Sequence, residues 1–162
     1  MSFRSAHAVA IDPALCANHI GDRVFGANAT VVSSQAGWTI FEISFKPAPT
    51  LRGYPTETVR LTVPPSGDPV AVAVPADREF LHRYPRTHPD ELRKRVPPLE
   101  FLVGALCLWY PNDPIDLRWS WIKGLVDFVR IVQRHLWYEE HWRRTGSWPV
   151  EDAHSPQLER VA

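Results

Sequence analysis

Cysteine is scarce in this chain: Cys16 and Cys107 are the only two among 162 residues. They could pair in principle, but a reducing compartment argues against a structural disulfide, and both are expected as free thiols. An excess of either charge is also missing. Lys+Arg and Asp+Glu both number 18, which removes the electrostatic case for a nucleic-acid or anionic-membrane partner, whose phosphates call for clustered basic charge. No run approaches the roughly 20 apolar residues of a membrane span. The opening Met1-Ser2-Phe3-Arg4-Ser5-Ala6-His7 lacks the charged and then continuously apolar pattern of a secretion signal,. A cytoplasmic location is therefore expected, with no nucleic acid and no membrane as partner. Internal repeats and low-complexity tracts are absent. What is present is enough apolar material, 44% of residues, to bury one good-sized core. Residues 1–162 read as a single domain, with a variable N-terminal segment over 1–24 and a polar tail over 147–162.

The first half reads as strands. Asn28 to Ser34 is β-branched and ends at the turn signal Gln35-Ala36-Gly37; Trp38 to Phe45 follows with strand-favouring side chains, so the two are expected as antiparallel neighbours,. Thr58-Val59-Arg60-Leu61-Thr62-Val63 alternates as a third strand does, and Val70 to Val74 offers a fourth,. Ahead of these, Asp12 or Pro13 opens one short helical turn through Ala17. Residues 75–98 are rich in charge, histidine and proline and read as a long loop, with a short helix at 90–95; connections this long in a compact domain tend to be functional. Leu99 to Tyr110 then passes back through the core.

From Trp121 the period changes. Trp121, Leu125, Phe128 or Val129, Val132 and Leu136 recur at helical spacing, with Gly146 as the stop,. Trp148-Pro149-Val150 can dock back on this helix. The fold class is thus α+β, an antiparallel sheet packed on a long helix in the C-terminal half. His135, Glu139 and His141 bring metal ligation to mind, but the two histidines are six residues apart and face different sides of a helix, so no metal is assigned. No cofactor is expected either.

Cys107 is the candidate for chemistry. Read from its neighbours Leu106, Leu108 and Trp109 alone, it is a small buried hydrophobe whose apolar surroundings raise the thiol pKa. The order of segments around it says more: strands, a proline-rich loop, a cysteine on an apolar turn, then Trp119-Ser120 leading into a packed helix. That order resembles the ubiquitin-conjugating enzyme fold. Phe25 to Val32 is similar to the family's first strand, Phe41 to Pro47 followed by Tyr54-Pro55 to its second strand and Tyr-Pro turn, Leu106-Cys107-Leu108 to its active-site Ile-Cys-Leu, and Trp119-Ser120 to its later Trp-Ser. The C-terminal third, from Leu106 to Trp119 and from Glu139 to His154, resembles bacterial ubiquitin-conjugating-like proteins. Some of these are encoded in CBASS antiphage operons beside a cGAS-like cyclic-oligonucleotide synthase, a CD-NTase.

The resemblance implies a transferase in which Cys107 forms a thioester with the C-terminus of that synthase, with a ubiquitin-activating-like enzyme as a further partner. One departure stands out. The family's His-Pro-Asn triplet places Asn eight residues before the cysteine, where this chain has Leu99; the nearest likeness, His88-Pro89-Asp90, lies well upstream. An ionised Asp has no donor to offer an oxyanion, so ligation to lysine is expected to be slow, absent or differently assisted. His88, Asn112 and Asp113 are auxiliary candidates for orienting or deprotonating a nucleophile, although Asn-Asp-Pro is also a common turn. Leu108, Trp109 and Tyr110 are candidates for one wall of a peptide groove, with core packing as the alternative. Two other readings remain open: a catalytically silent binding module on the same fold, and a cysteine hydrolase, for which no histidine partner motif is recognisable.

Overall fold

The computed structural model describes residues 2–74, 105–106, 108–109, 114–116 and 118–150. The expected loop over 75–98 and its short helix lie outside the described residues. Within them the chain runs through α1 (Ala6–Ile11), α2 (Pro13–Arg23), β1 (Ala27–Gln35), β2 (Trp38–Phe45), β3 (Glu57–Val63), β4 (Val70–Val74) and α3 (Leu125–Thr145).

The four strands form one antiparallel meander in the order β1-β2-β3-β4, as the sequence predicts. Side chains alternate across a strand, and the alternation sorts them sharply in β2: Thr39, Phe41, Ile43 and Phe45 are buried while the residues between them are not. Register carries the same face through Val59, Leu61 and Val63 of β3 and Ala71 and Ala73 of β4. Against this face lie Leu125, Phe128, Val129, Val132 and Leu136 of α3, one helical stripe, together with Val9 of α1 and Cys16, Ala17 and Ile20 of α2,. Burying a side chain of this size contributes about 1.5–3 kcal/mol, which makes the stripe the main reason α3 is held.

The N-terminal segment departs from expectation. Instead of one short turn through Ala17 there are two helices, and the second runs to Arg23. The start of the second was read from the sequence, and Asp12 Oδ1 accepts from Leu15 N at 3.0 Å with Pro13 in the first helical turn; the first was not read, although Ser5 Oγ caps it by accepting from Ala8 N at 3.1 Å,. Their extent was not legible, because Asn18, His19 and Gly21 are weak helix formers and the favourable term is burial of Cys16, Ala17 and Ile20 on the sheet,.

The long helix also starts later than the apolar period. Gly124 adopts φ +82, outside helical space, so Trp121 to Lys123 form a turn and α3 begins at Leu125,. At the other end Gly146 takes the left-handed conformation and its N–H donates to Trp142 O at 2.8 Å, the stop read from the sequence,. Trp148 folds back over α3, its ring 5.5 Å from His135 and 5.7 Å from Tyr138. Among the described residues no helix is long and apolar enough to cross a membrane.

Among the described residues one buried group on the inner face has no partner: Thr39 Oγ1 is enclosed without a hydrogen bond. A hydroxyl stripped of water and left unpaired costs about 1–3 kcal/mol. Thr39→Val keeps the shape and removes the hydroxyl, so the variant is expected to be more stable by about 1 kcal/mol, read as a higher urea midpoint at unchanged slope.

Candidate functional site

The segment that carries the candidate cysteine returns to the sheet beside β4. Ala105 forms an antiparallel bridge with Val72, and Leu106 N donates to Ala71 O at 2.9 Å; both residues are buried. Leu106 therefore enters the core next to the last strand, with its backbone amide satisfied by that strand. Cys107 follows it directly in the sequence and lies outside the described residues, as do His88, Tyr110, Asn112 and Asp113. Of the proposed groove wall, Leu108 and Trp109 are described. Both are half-buried and packed against the core cluster, which is the core packing weighed for them.

Trp109 begins a chain of aromatic contacts. Its ring meets Phe128 of α3 edge-on at 5.9 Å; Phe128 meets Trp119 at 5.2 Å, and Trp119 meets Trp121 at 4.9 Å. Such T-shaped pairs contribute about 0.5–1.5 kcal/mol each beyond area burial. Each indole of the entry turn also has a place for its N–H. Trp119 Nε1 donates to Gly124 O at 2.8 Å, and Trp121 Nε1 to Gly67 O in the β3–β4 connection at 3.0 Å. Trp119 is buried and Trp121 half-buried, which makes the first a core residue and the second a tie between the turn and the sheet end.

The loop before that turn is held by a lysine. Lys123 Nζ donates to Asp116 O at 2.7 Å and to Arg118 O at 2.6 Å. Leu125 N, the first amide of α3, donates to Phe3 O at 2.9 Å, so the N-terminal segment closes the same end of the molecule. Sequence reading missed this role for Lys123. A lysine three residues after a Trp-Ser pair carries no signal of which carbonyls it will meet.

A second cluster was missed as a unit. At the C-terminal end of α3, Arg143 Nη2 is 2.9 Å from Glu57 Oε1 of β3 and 2.8 Å from Glu140 Oε2, while Arg144 Nε donates to Glu140 Oε1 at 2.7 Å. Arg144 also donates to Gly53 O and lies over the Tyr54 ring at 4.7 Å,. One turn earlier His135 Nε2 is 3.0 Å from Oε1 of the fully buried Glu139. The i,i+4 spacing of Glu140 and Arg144 was a readable sign; the partners on β3 and in the β2–β3 loop, which includes the Tyr54-Pro55 pair, were not. Among the described residues no group of three His, Cys, Asp or Glu is arranged to hold a metal ion.

The other cysteine is chemically quiet. Cys16 is fully buried in α2, and that burial, with Asp12 adding a smaller effect, pushes its thiol up to about 12,. At neutral pH it holds essentially no thiolate, the form that attacks carbonyls and alkylating reagents. Compared with family models, with curated proteins and with solved structures, the chain matches none.

Two expectations follow from these environments. In the native chain, iodoacetamide at neutral pH should leave Cys16 unmodified over hours and modify it only on unfolding in urea, as peptide mass mapping will show; rapid native labelling of Cys16 would contradict its burial. For Glu140, burial favours the neutral acid, but hydrogen bonds from Arg144 and Arg143 and their charges outweigh it and hold the pKa below the usual carboxylate range,. A lowered folded-state pKa means stabilisation that is present above the unfolded value, about 4.3, and lost as pH falls through the folded one. Glu140→Gln should thus be less stable than the parent at pH 7 by on the order of 1 kcal/mol, and the two urea midpoints should converge in strong acid.

Proposed function

We propose that this chain is a ubiquitin-conjugating-like acyl carrier, in which Cys107 forms a thioester with the C-terminal carboxyl of a partner protein, a cGAS-like CD-NTase of an antiphage system. The observation that carries this reading is the path of the chain around the cysteine. A four-stranded antiparallel meander is followed by a segment that returns beside β4 through Ala105 and Leu106, immediately before Cys107. The Trp119-Ser120 pair and a helix packed across the sheet come after it. This is the segment order on which the sequence resembles the conjugating family, and here it occurs with the return segment next to the last strand.

The chemistry asks little of the protein beyond placement. The Cys107 thiol loses its proton to solvent, and the thiolate sulfur attacks the carbonyl carbon of an activated C-terminus. An S–C bond forms, and the bond to the activating group breaks, that group leaving with the electron pair. A free thiol of pKa about 8.5 is a few per cent thiolate at neutral pH and is nucleophilic enough without a dedicated base. The acyl group then passes to an incoming nucleophile as the C–S bond breaks. Half-buried Leu108 and Trp109, set against the core on one side, provide apolar surface beside the sulfur-bearing residue for an extended tail,. A ubiquitin-activating-like enzyme would supply the activated carboxyl. Cys16, buried with a raised pKa, is poorly suited to this step, which supports the choice of Cys107.

Co-expression with the synthase and an activating enzyme should give an adduct of chain plus synthase that thiols and hydroxylamine cleave. Intact-mass spectrometry is the readout. Cys107→Ala should abolish the adduct, Cys107→Ser should abolish it or leave a thiol-resistant ester, and Cys16→Ser should leave it intact. An adduct that survives Cys107→Ala would sink the assignment. A stable non-covalent complex with no adduct under any condition would replace the carrier with a silent binding module.

A further inference from the structure

Lysine is among the commonest residues of globular proteins, yet only three of the 18 Lys+Arg in this chain are lysine: Lys46, Lys94 and Lys123. For an acyl carrier this scarcity matters, because a lysine amine takes the acyl group from a thioester irreversibly. The amine nitrogen attacks the thioester carbonyl carbon and a C–N bond forms; the C–S bond breaks with its electron pair on sulfur, and the nitrogen gives its surplus protons to solvent. A carrier with a free lysine beside its cysteine loses its cargo to itself.

The sheet register places two of the three lysines relative to the returning segment. Leu106, whose amide donates to Ala71 O, is level with Leu61 of β3 and Phe41 of β2. Lys46 follows Phe45, the last residue of β2, which puts it about 17 Å along that strand from the level of Leu106. The bridge between Val72 and Ala105 is antiparallel, so the chain at Leu106 runs toward Val70 and the β3–β4 connection, away from Lys46. Lys123 belongs to the end it runs toward, since the indole of Trp121 in the same turn donates to Gly67 O of that connection. Lys94 lies outside the described residues.

Lys123 is exposed, but its amine is occupied: Nζ donates to Asp116 O at 2.7 Å and to Arg118 O at 2.6 Å. Two backbone groups fix the tip of a stem that otherwise swings freely. Acylation would also turn Nζ into an amide nitrogen with a single N–H, so the product has to release one of the two carbonyls. We propose that the Asp116 and Arg118 carbonyls withhold Lys123 from acylation, and that the acyl group on Cys107 is thereby kept for an amine on another molecule. This inference rests on the carrier reading given above.

The test uses the full chain. Under limiting acetyl N-hydroxysuccinimide ester, followed by peptide mass mapping, Lys123 should acetylate about tenfold more slowly than exposed Lys46, the factor set by one hydrogen bond lost on reaction. In urea the two rates should converge. For the transfer itself, a short peptide with a C-terminal mercaptoethanesulfonate thioester exchanges onto Cys107, mercaptoethanesulfonate leaving as its thiolate, with Cys107→Ala as the reference. Kept without added amine, the loaded chain should carry the peptide on none of its own amines, and added free lysine should discharge it. Ile122→Lys puts an unheld lysine at a neighbouring position that is 79% exposed, and the introduced lysine should take the peptide from Cys107. Acetylation of Lys123 as fast as that of Lys46, or peptide on Lys123 or any other amine of the unmutated chain, overturns the proposal. So does an Ile122→Lys chain whose introduced lysine stays free, because distance and not the two carbonyls then spares Lys123. A chain whose Cys107 takes no peptide overturns the carrier reading and this use of Lys123 with it, and slow acetylation of Lys123 in that chain distinguishes this failure from a lysine that was never held.

Discussion

Phe128 is the contact on which the rest of the molecule depends. Its ring is fully buried where α3 crosses the sheet, and it touches Trp109 from the returning segment and Trp119 from the turn that starts the helix. Three stretches far apart in the sequence thus share one side chain. The constraint behind this is elementary: a sheet with one apolar face must be covered, and here the cover comes from α1 and α2 at one end of the chain and α3 at the other. Closing both ends onto one face brings Phe3 O within hydrogen-bond reach of Leu125 N. The N-terminal segment and the start of α3 therefore hold each other in place over the core.

That cover determines what the candidate cysteine's surroundings can do. Ala105 and Leu106 are tied to β4 by backbone bonds, and Trp109 is fixed by its ring contact. The two anchors bracket Cys107 in sequence. Lys123 extends the rigidity outward by holding two carbonyls of the following loop. Meanwhile the thiol that burial has silenced, Cys16, does the ordinary work of a small apolar residue,.

The far end of α3 shows a different use of the same helix. Three carboxylates, two guanidinium groups and an imidazole converge where Glu57 begins β3, and most of them are shielded from water. Replacing such a cluster by apolar residues often costs nothing, whereas removing one member leaves a buried charge uncompensated. Its effect is positional: Arg143 and Arg144 connect the helix end to β3, Gly53 and Tyr54, fixing the β2–β3 loop relative to the helix.

The sequence by itself determined the strands and the periods. The alternation in Trp38 to Phe45 and Thr58 to Val63 fixed which residues face inward, the Gln35-Ala36-Gly37 turn fixed the first pairing, and the spacing of Leu125, Phe128, Val132 and Leu136 fixed the stripe that packs on them. These are local patterns, set by geometry that repeats every two or 3.6 residues. Tertiary structure decided what depends on neighbours distant in the chain. It drew α2 out to Arg23 through burial of Cys16 and Ile20, moved the start of α3 to Leu125 because Gly124 and the Trp119 indole close a turn there, and gave Lys123 its two carbonyls and Arg143 its Glu57. Leu106 was legible as apolar, but its place beside β4 was not. A strand edge chooses its partner from whatever segment the packed layers deliver to it, and no local pattern encodes that delivery.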